Sequence, residues 1–367
     1  MIAVILFILV LGLLIFVHEF GHFIVAKKSG MKVEEFGFGF PPKIFGIKRG
    51  DTTYSINLLP IGGFVRILGE SGEDADDPKS FAGRGVGIRA AVISAGVVMN
   101  ILLAMVLLII GFKIGIPSVV DGNEDVNIRD QKVQIVTINE NSPAQEAGIT
   151  VGDSVLEIDG VAIDTVEQVQ NSINNSLGDE LFLKISRGEE VIDLSMTPRE
   201  NPPEGQGATG IALVKTGIVS YPLHISIWKG IQATFSMTIA IILAFGGILK
   251  NIFIGQGVSE GLSGPVGIAV MTGQMAKLGF VYILQFTAIL SINLAILNFL
   301  PFPALDGGRM LFLIMEKIRG KKVKKKTENM VHATGFIILI ILMILITFRD
   351  IFKFKDIFIN LWNGLIG

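Results

Sequence analysis

Two histidines and a glutamate stand together in His18-Glu19-Phe20-Gly21-His22. On a helix, side chains four positions apart share a face, so both imidazoles can grip one zinc ion. Glu19 lies beside them, where it can take a proton from water activated by the metal. The motif falls inside an apolar run covering residues 2–25, where ionisable groups are costly unless paired or functional. A catalytic zinc normally takes three protein ligands and keeps one position open. The chain has no cysteine, so the third ligand must be His, Asp or Glu. His224 falls by an interface and His332 ahead of the last apolar run, and both read as ordinary interfacial residues. Asp306 is better placed, in Asn298-Phe299-Leu300-Pro301-Phe302-Pro303-Ala304-Leu305-Asp306-Gly307-Gly308. The prolines stop a helix and the paired glycines allow a tight turn. An acid on irregular backbone at membrane depth is tolerated only when buried in protein or lining a cavity. Taken alone, Asp306 reads as a polar helix cap at the interface.

The elements that must position these residues are membrane helices. Half the residues are apolar, 17% are charged and the mean hydropathy is +0.61. That composition fits a polytopic membrane protein with soluble parts. The formal net charge of −2 suggests no nucleic-acid partner, and the lack of cysteine excludes disulfides and thiolate metal sites. Four spans are expected, at residues 2–25, 90–110, 279–300 and 333–348. The first reads as a retained helix, since no Lys or Arg precedes it and no small-x-small cleavage site follows. Basic clusters follow the first span (Lys27, Lys28, Lys32, Lys43, Lys48, Arg49, Arg66) and the third (Lys317, Arg319, Lys321, Lys322, Lys324, Lys325, Lys326). The positive-inside rule puts both in the cytoplasm and residues 116–227 outside. A fifth apolar stretch, 231–249, would break that parity if it crossed, so it is expected to lie in the interface or to dip in and return. The first and third spans then both run inward. They bring His18, His22 and Asp306 to one depth, as a split metal site requires.

Residues 117–200 alternate as a separate module. Strands are expected at 134–139, 154–159, 181–186 and 191–196. A short helix opens at Ser142-Pro143 and a second covers 165–174. The Pro/Gly-rich stretch 201–210 reads as the linker out. Between the first two spans, 33–36, 53–58 and 64–68 read as short strands around Gly62-Gly63.

His18–His22 together with Asn298–Gly308 resembles the site-2 protease family, whose signatures are HExxH and NxxPxPxLDG. The order of elements is similar to its bacterial RseP/RasP-like branch, and the resemblance covers nearly the whole chain. It implies a polytopic α-helical membrane protein with four transmembrane helices, a membrane-reentrant β-hairpin and one extracytoplasmic α+β PDZ domain. The PDZ resemblance rests on Ser142–Ile149 with Gly152–Gly160. The implied division is 1–115 (two spans, HExxH, hairpin), 116–205 (PDZ), 206–277 (linker and interfacial helix) and 278–367 (two spans, NxxPxPxLDG). The family's zinc ligands map onto His18, His22 and Asp306, its catalytic Glu onto Glu19, and its substrate-holding Asn onto Asn298. Phe38, Gly39, Gly62 and Gly63 fall in the hairpin, which either pairs with an unwound substrate or plugs the bundle. The PDZ groove either captures a peptide terminus or filters bulky substrates. One departure from relatives is Val97 after Gly96, where they often carry Gly-Pro, although Asn100 remains.

The implied activity is zinc-assisted peptide hydrolysis without a covalent intermediate, in the bacterial cytoplasmic membrane. The implied substrates are single-span membrane proteins such as anti-sigma factors or signal-peptide remnants, met within the lipid bilayer. Two rival readings use the same residues, a PDZ scaffold with structural zinc and a metal transporter. Glu19 has no purpose in the first, and the proline-broken Asn298–Asp306 segment has none in the second.

Overall fold

The computed structural model describes residues 2–70, 72, 74, 76–120, 127–188, 190–203, 206–254 and 263–355. They form two compact units, Met1–Ile109 with Trp228–Gly367, and Ile110–Ile227. The chain opens the first unit with helix α1 (Ile2–Lys28), strands β1 (Val33–Arg49) and β2 (Thr52–Ile67), and helix α2 (Val86–Ile114). It then builds the second from β3 (Ile116–Val119), β4 (Asn127–Ile138), α3 (Pro143–Glu146), β5 (Ser154–Ile158), β6 (Val161–Ala162), α4 (Val166–Asn175), β7 (Leu181–Arg187), β8 (Glu190–Met196) and β9 (Ile211–Ser220). It returns to the first with α5 (Leu223–Phe253), α6 (Pro265–Leu278), α7 (Phe280–Phe299), α8 (Asp306–Arg319) and α9 (Lys325–Lys353).

Among the described residues, five helices (α1, α2, α5, α7 and α9) are long and apolar enough to cross a membrane. The stretch expected at 231–249 is thus part of one 31-residue helix, with the length of a span. The short run at 333–348 likewise lengthens to 29 residues. Helix contacts in the first unit are close because glycines permit them. A Cβ on Gly21 of α1 would strike the Ala95 carbonyl of α2. The Ser291 hydroxyl of α7 donates to the Asn100 carbonyl of α2 at 2.7 Å. The amino end of α6 has no local side-chain cap. The buried carboxylate of Asp350 on α9 serves instead, accepting from the backbone N–H of Gly264 and Gly267 at 2.9 and 2.7 Å.

β1 and β2 fold back on one another as an irregular hairpin. Lys43–Arg49 pairs with Thr52–Asn57, and Glu35–Phe38 has partners on both sides, in 53–56 and 63–66. β2 continues along α1. Gly62 meets Ile15, Gly12 faces the Pro60 carbonyl, and the Phe16 ring lies 5.6 and 5.8 Å from those of Phe36 and Phe38.

The second unit is a seven-stranded sheet ordered β3-β9-β4-β5-β7-β8, with β6 beside β5. Alternate residues Leu181, Leu183 and Ile185 of β7 are buried with Val133, Ile135, Val155 and Ile158 against Val169 and Ile173 of α4. Each such side chain contributes about 1.5–3 kcal/mol by leaving water. One expected boundary moves. The module thought to end at 205 continues through β9, which pairs with β4 from Ile211↔Ile138 to Ser220↔Asn127 and with β3. The sheet is therefore completed beyond the Pro/Gly-rich stretch. Asp153 is closed inside this unit. Its carboxylate takes two hydrogen bonds from the Arg187 guanidinium, at 2.9 and 2.8 Å, and two from Thr150. Burial alone would raise its pKa, but these donors outweigh it and hold the carboxyl below the usual range.

Candidate metal centre

Helix α1 carries His18 and His22 on one face, as their spacing requires. The turn after α7 supplies the third group. Leu300 leaves the helix with extended backbone, Ala304 takes φ +78°, and Asp306 opens α8. The Asp306 Oδ2 atom reaches 2.9 Å from His18 Nε2 and 3.3 Å from His22 Nε2, and the two Nε2 atoms are 3.2 Å apart. Donors bonded to zinc at about 2.0–2.2 Å in a tetrahedron lie about 3.4 Å from one another. The three atoms therefore have the spacing of a zinc ligand set, among residues 288 positions apart.

The surroundings fit a metal as well. His22 Nδ1 faces the Val92 carbonyl at 2.8 Å, so Nδ1 carries the proton and Nε2 keeps its lone pair for the centre. His18 Nδ1 faces the Asn100 side-chain amide at 3.4 Å, while buried Asn100 Oδ1 has no partner among the described residues. Turning that amide over satisfies both atoms, since Oδ1 then accepts from His18 Nδ1–H and frees Nε2 likewise. Gly96 of α2 lies directly beneath the imidazoles. A Cβ there would stand 2.5 Å from His22 Nε2 and 2.7 Å from His18 Nε2.

Glu19 is half-buried beside the cluster, and its Oε2 accepts from the Val65 backbone N–H at 3.1 Å. A pocket lined by Glu19, His22, Asp306, Gly63, Val65 and Arg309 opens on it. Arg309 pairs with Glu70 along its wall. Asn298 Nδ2 comes within 3.3 Å of His18 Nε2. Of the hairpin residues singled out in the sequence, Gly63 lines this pocket, whereas Phe38, Gly39 and Gly62 do not. Those three shape the hairpin. Gly39 (φ +79°) and Gly62 (φ +91°) take left-handed backbone, and Asn57 donates to the Phe38 and Gly39 carbonyls.

The sequence pattern gives no role to Gly96 or Arg309, and marks Asn100 only as a retained residue. Both outlying histidines read as interfacial. His224 is exposed near the start of α5. His332 is different, because its Nδ1 accepts the Ala304 N–H at 2.9 Å, inside the turn that carries Asp306.

The profile of Peptidase family M50 matches residues 6–342. A zinc metalloprotease RasP of Geobacillus kaustophilus is 33% identical, over 96% of this chain and 98% of the relative. The regulator of sigma-W protease RasP of Bacillus subtilis is 30% identical, over 95% and 98%. Among solved structures, the PDZ domain of an SdrC-like protein of Listeria innocua aligns with 22% of this chain and 92% of that domain, at 23% identity and a TM-score of 0.20.

Proposed function

Because the chain belongs to peptidase family M50, the site-2 proteases, we propose that His18, His22 and Asp306 hold its zinc and that Glu19 is its general base. The protein is thus an intramembrane zinc metalloprotease whose reaction is carried by one cluster. The observation that bears most weight is the meeting of two imidazole nitrogens and one carboxylate oxygen beside Glu19. When bound, zinc supplies the Lewis acidity that polarises a peptide carbonyl and lets water lose a proton near neutral pH. Glu19 has one oxygen anchored on Val65 N–H, which fixes its rotamer and leaves the other free to take that proton. It then delivers the proton to the leaving amine, so one carboxylate serves as base and acid in turn. Asn298 stands where a substrate backbone would pass His18, and its amide can hold that backbone in place. Gly63 and the strand to Ile67 offer an edge on which an unwound segment can add as a strand. Phe38, Gly39 and Gly62 keep that edge in shape. Unwinding matters because a helical peptide bond is already hydrogen-bonded and shielded.

The substrates on this reading are single-span membrane proteins of the anti-sigma type or signal-peptide remnants. The printed name of the Bacillus subtilis relative, a regulator of sigma-W protease, supports the first. The basic residues after α1 and in 317–326 support a cytoplasmic position for the site, in the bacterial cytoplasmic membrane, with the second unit outside. Four spans satisfy that charge pattern, and α5 then lies along the outer interface. The packing of β2 along α1 as far as Gly12 supports a hairpin that re-enters the membrane. In the second unit, residues 211–214 of β9 pair with β4 alone among the described strands. That half-free edge supports capture of a peptide terminus by strand addition at a PDZ groove.

Glu19→Gln tests the proposal. Purified variant should retain stoichiometric zinc while cleavage of a single-span substrate falls by about 10²–10⁴-fold, the usual worth of a general base. Cleavage at the unaltered rate would sink it. Reporters fused after Gln206 and after Lys250 should both report the outer side if α5 does not cross.

A further inference from the structure

His332 stands on α9, 26 positions beyond Asp306 in the chain, and meets the turn that leads into it. The imidazole Nδ1 accepts the Ala304 backbone N–H at 2.9 Å, and the ring lies 5.4 Å from that of Phe312 on α8. Ala304 needs that partner. It is a non-glycine residue at φ +78°, a strained conformation that persists only where neighbours impose it. One turn further along the same helix, Gly335 touches Pro303 so closely that a Cβ would strike both its ring and its carbonyl. α9 therefore grips Pro303 and Ala304 together, through a bare backbone at Gly335 and a hydrogen-bond acceptor at His332. Leu305 separates this grip from Asp306. Because Ala304 donates, His332 carries its proton on Nε2, an atom that is buried with no protein partner among the described residues. A half-buried imidazole whose acceptor nitrogen serves a backbone N–H in a strained turn is what a positioning group looks like.

We propose that His332 is a positioning residue for the reaction, holding Ala304 in its left-handed bend so that Asp306 Oδ2 is aimed at the two imidazoles. The inference rests on the zinc-site reading given above. It goes beyond that reading by making α9, a helix with no metal ligand, part of what sets zinc affinity. Groups behind metal ligands typically contribute 10- to 100-fold in affinity, and a freed Ala304 would let the carboxylate swing.

The test uses full-length protein in detergent carrying Glu19→Gln, so that no cleavage complicates the measurement, with zinc affinity read by competition against a chromophoric chelator. His332→Ala should weaken zinc binding by about 10- to 100-fold. His332→Gln should do the same, because its acceptor sits one bond too far out. His332→Asn carries its carbonyl oxygen on Cγ, the carbon that bears Nδ1 in histidine, and should restore affinity to within about threefold of the parent (under ~1 kcal/mol at ~1.4 kcal/mol per tenfold). Parent-like affinity in His332→Ala overturns the inference. So does an Asn variant as weak as the Ala variant, which would mean that the ring serves only as packing. A parent that holds no zinc would instead overturn the metal-site reading itself, so the two failures are distinguishable.

Discussion

Asp153 and Asp306 are both withdrawn from solvent, with side chains 1% and 17% exposed, yet they are satisfied in opposite ways. Asp153 sits in the second unit under a guanidinium, which is always positive, and two donors from Thr150. Its charge is balanced within the protein. Asp306 in the first unit meets two imidazoles that balance it only if they are protonated, with the carboxylate of Glu19 facing the same pocket. With neutral imidazoles, two acids share a partly buried pocket beside Arg309, and Arg309 is already paired with Glu70. The Asp153 pair is balanced by protein charges alone, whereas the Asp306 cluster has no such fixed cation among the described residues, the charge that the proposed zinc would bring. A closed ion pair supports a fold, whereas an incomplete one marks a binding site.

The largest way to break this contrast is Gly96→Ala. A single methyl there would stand within 2.7 Å of both Nε2 atoms, and neither can retreat because α2 itself orients their Nδ1 atoms, through the Val92 carbonyl and Asn100. Purified Gly96→Ala should bind zinc more than tenfold more weakly than the parent, a loss of more than ~1.4 kcal/mol, and lose cleavage to background. Hydrogen exchange of amides in β5 and β7 should stay unchanged. Parent-like zinc affinity in this variant would refute the packing of α2 against the imidazoles.

How much of this was legible in the sequence follows the same division. The i, i+4 histidines announce themselves locally, and alternation alone marks Leu181, Leu183 and Ile185. Asp306 could be joined to them only through an argument about span direction, because no local pattern links residues 288 apart. β9 is hidden in the sequence because the Pro/Gly-rich 201–210 before it has the composition of a boundary, while its partner β4 lies about 80 residues back. α8 was hidden because Gly307-Gly308 reads as a turn and its far end as a basic loop. His332 was misjudged for a deeper reason. Its partner is a backbone N–H at Ala304, and side-chain types carry no signal for that.

A smaller effect is expected at the finished ion pair. Arg187→Ala leaves Asp153 with only its Thr150 donors. Since the guanidinium is 38% exposed, solvent already screens it, and the loss should be about 1–2 kcal/mol. The sign with pH follows from the lowered folded pKa. Stabilisation is complete above the unfolded value of about 3.9 and disappears as pH falls through the depressed folded value. Thermal unfolding of full-length protein between pH 2 and pH 6, a window of about that carboxylate range, should show a steeper acid-side loss in the parent than in Arg187→Ala. Parallel curves would mean that Arg187 does not lower the Asp153 carboxyl.

The smallest effect sharpens the comparison from within the second unit, at the start of α4. Thr165 Oγ1 accepts the Gln168 N–H at 3.3 Å, and Gln168 Oε1 accepts the Thr165 and Asp164 N–H groups at 3.0 and 2.7 Å. This reciprocal cap satisfies amides that no helical carbonyl can reach. Thr165→Ala removes one arm and should cost about 1 kcal/mol. The helix should survive, because Val169 and Ile173 still anchor its inner face in the core and tertiary packing supplies most helical stability. Amide exchange in the first turn of α4 should therefore quicken by about fivefold, the equivalent of 1 kcal/mol, with zinc affinity untouched. If exchange does not change, packing alone fixes the start of α4, and the cap follows from the fold without supporting it.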